Sequence, residues 1–399
     1  MLIILTTHPI QYQVPIWQAL AKDGRVPFEV WYLSDHGAKA GHDVEFGNKF
    51  AWDIDMLSGY PHRLLKTPSD AHPASFWKCR ASESLIARLR GCGAKALWIQ
   101  GWQVAGYWQA VVATRRAGVK LWLRGESNDL APSAGWKKHI KHVVLGWLFR
   151  QVDVFLCIGT ANRRLYQRYG VSDSKLLNAP YAVDNERFGR QKAEIEKQRW
   201  EIRKRWGIAE DAFCVLFCGK FISKKRPMDI IKAAHELAKR GRNVHLLFVG
   251  SGELGDSLRS SCNVVFDAGS ETKNQALGTE NRPPASFAGF LNQTQISEAY
   301  VAADCLALPS DYGETWGLVV NEALASGLPC IISDQCGSAE DLGTRSPNQV
   351  FPCGDTQALA QCVERLVLSP VKAGPEVLEG YSFEHCVDAV VKEYQKNAA

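Results

Sequence analysis

Short, almost wholly apolar runs constrain this chain most. They fall at Met1–Leu5, Phe28–Leu33, Ala96–Gln100, Val119–Leu123 and Val154–Ile158, with helical or loop segments between them. A strand that is apolar on both faces belongs in a parallel sheet covered by helices on both sides. The stretch Glu186–Arg205 is charged and breaks this rhythm, which then restarts at Ala212–Cys218, Val244–Val249, Asp304–Leu308 and Pro329–Ser333. A second start after a break predicts two Rossmann-like α/β domains. The 399 residues also exceed what one ordinary core holds.

Composition narrows the class. Apolar residues make up 46% and charged residues 22%, both globular values. A net charge of +5 is too mild for a nucleic-acid partner. The opening MLIILTTHP has no basic region and turns polar after five residues, so it reads as a first strand rather than a signal peptide. With no run long enough to span a bilayer, the expected location is cytoplasmic. Twelve cysteines contain no Cys-x-x-Cys pair, and many lie inside apolar runs; they read as small buried hydrophobes rather than disulfides or zinc ligands.

Two stretches of the second half carry chemistry. The strand ending at Leu308 leads into Pro309-Ser310, Gly313, Glu314 and an apolar helix expected over Trp316–Ser326, where only Asn321 and Glu322 are strongly polar. A carboxylate on such a helix costs several kcal/mol unless it is hydrogen-bonded. No Arg or Lys lies nearby in sequence, so the hydroxyls of a ligand are its expected partner. The first-turn N–H groups at Trp316, Gly317 and Leu318 form a ready anion site. Gly219-Lys220, followed by Lys224-Lys225-Arg226-Pro227, places cations just before a helix start. They oppose the helix dipole there unless an anion lies between, which favours a phosphate ligand.

Glu314 and Glu322, with seven residues between them, after Pro-Ser and before Ala-x-Gly-x-Pro, resemble the paired-glutamate motif of retaining GT-B glycosyltransferases of family 4, the glycosyltransferase group 1. The resemblance is strong over Phe213–Gly354 and thin before Asn178. It implies a GT-B α/β fold, two Rossmann-like domains facing each other across a cleft. An acceptor-side domain would cover 1–186, a linker 187–205 and a nucleotide-sugar domain 206–380, with a helix over 381–399 crossing back. In the implied roles Lys220 and Lys225 grip the donor diphosphate, with Lys224 as a register alternative. Glu314 orients the sugar, Glu322 holds the ribose, and Gly289-Phe290 lies by the base. Transfer would retain configuration without metal or cofactor, the nucleotide diphosphate-sugar being the substrate, and no Asp-x-Asp site follows a first-domain strand. The acceptor would be a saccharide or lipid-linked glycan, as in cell-surface polysaccharide assembly. An epimerase or phosphorylase on the same scaffold, or a non-catalytic nucleotide-sugar binder, are the rival classes.

In the first half, His8, Gln11 and Tyr12 follow the first strand, where α/β sheets gather ligands. That loop has no glycine, so a phosphate contact there needs a side chain such as Gln11. Glu126 stands where related enzymes place a sugar-contacting histidine, with an Arg124–Glu126 pair as the structural alternative. Trp52, Asp53 and Asp55 are candidates in an aromatic insertion over Asp35–Pro73, and Ala268–Pro284 reads as a mobile excursion. The basic amphipathic helix at 135–150 makes an anionic membrane surface a candidate partner, against an ordinary helix with a solvated basic face.

Overall fold

In a computed structural model of the chain, residues 1–36, 41–43, 48–50, 55–131, 136–269 and 282–398 are described. Trp52, Asp53 and most of the excursion at 268–284 lie outside the described residues. The chain forms two compact units: Met1–Gly41, Phe50–Val183 and Gly380–Ala399 make the first, His42–Lys49 and Asp184–Glu379 the second.

The first unit is built on seven parallel strands: β1 (Leu2–Thr6), β2 (Phe28–Tyr32), β3 (His62–Leu64), β4 (Ala96–Ile99), β5 (Lys120–Leu123), β6 (Val154–Cys157) and β7 (Leu176–Asn178). Their order is β3-β2-β1-β4-β5-β6-β7. All five residues of β1 are buried, because helices cover both faces. Its side chains alternate between two cores, Ile3 and Leu5 on one face, Leu2 and Ile4 on the other. The helix Phe383–Ala398 contributes Cys386, Val387, Val390 and Val391 to the second of these.

The second unit repeats the plan with β8 (Phe213–Cys218), β9 (Val244–Val249), β10 (Asn263–Asp267), β11 (Pro284–Gly289), β12 (Cys305–Leu308), β13 (Cys330–Ser333) and β14 (Gln349–Phe351). The order is β10-β11-β9-β8-β12-β13-β14, again parallel. In each sheet the chain first builds outward on one side and then returns to the other. The reversal lies between β1 and β4 in the first unit and between β8 and β12 in the second. Ligands of such sheets bind beyond the carboxyl ends of the strands at these points.

Several expectations change. The stretch at 187–205, expected as a charged linker of helical composition, forms the helices Asn185–Ile195 and Arg199–Arg205, which group with the second unit. Arg199 and Arg203 bind it down through Asp304, at 2.8 and 3.2 Å. The apolar helix starts at Leu318 rather than Trp316, because Gly317 takes φ +93° and only from there does the backbone become helical. In sequence, Asp53-x-Asp55 follows the strand Asn48–Phe50, most of which groups with the second unit. Asp55, however, accepts the N–H groups of Leu57 and Ser58 and the Ser58 hydroxyl, closing its own turn. All twelve cysteines are free, nine of them buried. Among the described residues no helix is long and apolar enough to cross a membrane, and no group of His, Cys, Asp and Glu could hold a metal ion.

Candidate functional site

In the second unit the carboxyl ends of β8 and β12 face the same side. After β8 the chain passes Gly219 and Lys220 and drives Phe221 into the core, where its ring lies 5.9 Å from Phe217 and 6.1 Å from Phe248. Full burial of a phenylalanine contributes about 2–3 kcal/mol and anchors the loop. The Phe221 N–H donates to the Ser251 carbonyl at 2.8 Å. That approach is open only to glycine at 252, where a Cβ would stand 2.7 Å from the Phe221 carbonyl oxygen. A 3-10 turn over Ser223–Lys225 then ends on Arg226 in the left-handed region, φ +50°. Arg226 turns back to Asp229 at 2.7 Å, in the first turn of the helix Met228–Lys239.

Lys225 forms an ion pair with Glu314, and both side chains are largely shielded from solvent. The loop after β12 is tied to the lysine turn, since the Asp311 N–H donates to the Lys224 carbonyl at 2.8 Å. Asp311 also caps Gly313 at 2.7 Å, which fixes the bend that presents Glu314. Behind it, the Gly337 N–H donates to the Glu314 carbonyl at 3.1 Å. The carboxylate and ammonium expected on separate loops therefore meet at the reversal point of the sheet. Lys220 is half-buried at the end of β8, and Gly289-Phe290 ends β11 on the same side, the Gly289 carbonyl accepting from the Gly250 N–H at 2.8 Å.

Glu322 is half-buried, and burial pushes its carboxyl above the ordinary range. The Tyr300 hydroxyl donates to it at 2.6 Å, and Gln293 and the Arg187 guanidinium act against the upward shift. These come from distant elements: Arg187 from Asn185–Ile195, Tyr300 from the helix Ile296–Ala302. Nothing in the spacing around Glu322 announced them. Cys218, the last residue of β8, feels both Glu322 and Lys225 while burial pushes its thiol up to about 12, which puts acid and lysine around one strand end. The Trp316 side chain is 2% exposed and donates its indole N–H to Asn321 at 2.8 Å. Gly317 is buried and Leu318, half-buried, opens the helix Leu318–Ala325.

In the first unit Glu126 accepts from the Tyr12 hydroxyl and the Gln13 amide, both at 3.2 Å, which brings the loops after β1 and β5 together. The Arg124–Glu126 alternative fails because Arg124 points elsewhere: it lies 4.7 Å from the Tyr181 ring and donates to the Pro180 carbonyl at 3.5 Å. His8 receives or gives a hydrogen bond with Thr7 at 2.9 Å and meets the His36 ring edge-on at 5.5 Å. His36 in turn lies 5.3 Å from His72. Burial, then the charges of His36 and His72, hold His8 down at about 4. Sequence reading missed Gln100. This buried residue follows β4 at the reversal point, and both polar atoms of its amide lack a hydrogen-bond partner, as does the amide oxygen of Gln11.

Residues 198–376 match the family model "Glycosyl transferases group 1". The chain is similar to 2-deoxystreptamine glucosyltransferase of Streptomyces kanamyceticus, 27% identical over 54% of this chain and 53% of that protein. It is also similar to D-inositol 3-phosphate glycosyltransferase of Rhodococcus erythropolis, 26% identical over 59% and 52%. The chain thus spans about half the length of the curated relatives it matches. Among solved structures, HepE of Anabaena in complex with UDP and glucose superposes with a TM-score of 0.66 at 14% identity, covering 99% of each chain. Sucrose-phosphate synthase of Thermosynechococcus elongatus gives 0.68 at 16% identity, over 99% and 98%. These two likenesses concern the fold.

Proposed function

We propose that this chain, whose residues 198–376 match the model of the group 1 glycosyl transferases and which has the GT-B fold, transfers a sugar from a nucleoside diphosphate sugar to a hydroxylated acceptor. The observation that carries this reading is the Lys225–Glu314 pair at the reversal point between β8 and β12. A lysine ammonium has three donors, so one can hold Glu314 while the others meet phosphate oxygens. Lys220 and the N–H groups opening Leu318–Ala325 add positive potential where charge develops on the leaving diphosphate. That set of donors neutralises the phosphate without a metal. The structures of HepE with UDP and with UDP-glucose support a nucleoside diphosphate sugar as donor.

In the proposed reaction the acceptor hydroxyl oxygen bonds to the anomeric carbon as the bond from that carbon to the phosphate oxygen breaks. The hydroxyl proton passes to the departing phosphate. Attack on the face the phosphate leaves retains configuration, and Glu314 orients the sugar rather than bonding to it. Glu322, presented with Tyr300, accepts from the ribose hydroxyls. Gln100, Gln11 and Glu126 suit a polyhydroxylated acceptor, since unpartnered buried amides gain from hydroxyl partners.

A saccharide or lipid-linked acceptor in cell-surface glycan assembly agrees with one further feature. On the helix Trp136–Gln151, Ile140, Val143, Val144 and Trp147 are all exposed, a continuous apolar stripe beside Lys141 and Arg150. The side chains of Lys137 and Lys138 lie outside the described residues. A stripe of this kind suits an anionic bilayer surface. Calorimetric titration with UDP, GDP and their glucose conjugates tests the donor reading. Binding of at least one, weakened about tenfold or more by Lys225→Ala, is expected. Equal affinity in wild type and variant overturns the assignment.

A further inference from the structure

The second unit has a concavity at the amino ends of its strands, on the side of the sheet opposite Lys225 and Glu314. A pocket of about 660 Å³ is lined by Phe213, Asn243 and Asp304, which stand at the amino ends of β8, β9 and β12. Lys225 and Glu314 follow the carboxyl ends of the same sheet, so this pocket is separate from the donor site. Its size falls within the roughly 300–1,000 Å³ of small-molecule sites.

Three properties define what it would take. Trp200 lines it with 43% of its surface exposed, an aromatic face left in water while most large aromatics of the chain are packed away. Asn243 donates to Asp211 at 2.8 Å across the rim, a planar amide and a carboxylate locked side by side. Arg203, also in the lining, is 4% exposed; its terminal nitrogens donate to Asp304, Ala302, Ala209 and Ala212, while its Nε has no partner.

Charge decides the ligand class. The lining cations Lys197, Arg199, Arg203 and Arg242 face the carboxylates Glu210, Asp211 and Asp304. Asp304 holds both Arg199 and Arg203, and Glu364 takes Arg242 at 2.9 Å. With cations and carboxylates so nearly balanced, little positive field remains to attract a phosphate. A neutral molecule with an apolar face for the indole and hydroxyls for fixed amide, carboxylate and guanidinium groups matches this lining. We propose that this pocket is a saccharide-binding site, which holds a neutral glycan segment away from the reacting centre.

Binding can be read without turnover, so the proposal stands or falls apart from the transferase reading. Saturation-transfer NMR would be run on the full chain with maltotriose, cellotriose and α-1,6-mannotriose, UDP being present to fill the donor site. At least one trisaccharide should bind with a millimolar Kd. Trp200→Ala should weaken it about tenfold, the size of one lost aromatic contact. Trp200→Phe should keep most of the affinity and Asn243→Ala should lose severalfold, while Lys225→Ala leaves it unchanged. Circular dichroism would check that each variant is folded. Failure of all three sugars to bind, or binding indifferent to both Trp200→Ala and Asn243→Ala, overturns the proposal. So does inorganic pyrophosphate that competes for the site.

Discussion

At the scale of single residues, Glu322 sets the sharpest test. Burial raises its carboxyl, so the folded chain holds the proton more tightly than the unfolded chain. The stability it contributes is therefore complete below the unfolded value of 4.5 and is lost as pH rises through the raised folded value. Glu322→Gln keeps a partner for the Tyr300 hydroxyl but carries no charge. Urea titrations should show the variant gaining stability over wild type at neutral pH and not at pH 4. An equal difference at both pH values would remove burial as the cause. Lys225→Ala should slow transfer about 10²–10³-fold, the scale for losing one charge-stabilising donor, and Lys225→Arg should recover part of it. The sequence made Glu314, Glu322 and Lys225 legible because each stands at a strand end or on an apolar helix. It hid Arg187, Gln293, Tyr300 and the buried amide of Gln100, because their proximity depends on the strand crossovers. No local pattern encodes those.

At the scale of elements, the site is held by loops that fit in one way only. A Cβ at Gly337 would stand 1.8 Å from the Thr315 carbonyl oxygen, a backbone atom that cannot move aside. The same glycine donates to Glu314. Gly337→Ala should then cost about 3 kcal/mol or more and reduce activity even where the protein remains folded. Gly146 gives the opposite case: it lies inside the helix Trp136–Gln151 and its added Cβ would meet nothing within 4 Å. Gly146→Ala should stabilise by about 0.5–1 kcal/mol. Urea midpoints moving in the same direction for both would contradict the packing argument. Strands were readable because an apolar run of four to six residues between turns has few alternatives in a parallel sheet. The helical composition of 185–205 was legible, but its charged surface hid the buried anchors Phe188 and Ile202 that pack it against the second unit.

At the scale of the whole molecule, a net charge of +5 gives only weak attraction to an anionic surface, so the membrane contact proposed above requires apolar contact to supply most of the binding. Val143 is 70% exposed, while Leu145, Leu148 and Phe149 on the neighbouring face of its helix are buried at 3% or less. The helix therefore has its own core contact and a second apolar stripe in water. Trp147 stacks on Trp108, 6.1 Å between centroids and 10° between planes, and Val112 of the helix Ala105–Ala117 is also exposed, which widens the patch. Moving four half-exposed side chains into lipid contributes on the order of 4 kcal/mol. That suffices for reversible binding and falls far short of permanent anchoring. Flotation with vesicles containing anionic phospholipid should carry a sizeable fraction of the protein upward. Val143→Glu with Trp147→Glu should abolish this, whereas raising the salt concentration should only reduce it, because salt screens Lys141 and Arg150 but not the stripe. Flotation that survives the double substitution, or its absence in wild type beside a concentration-dependent dimer in gel filtration, would give the stripe to a protein partner instead.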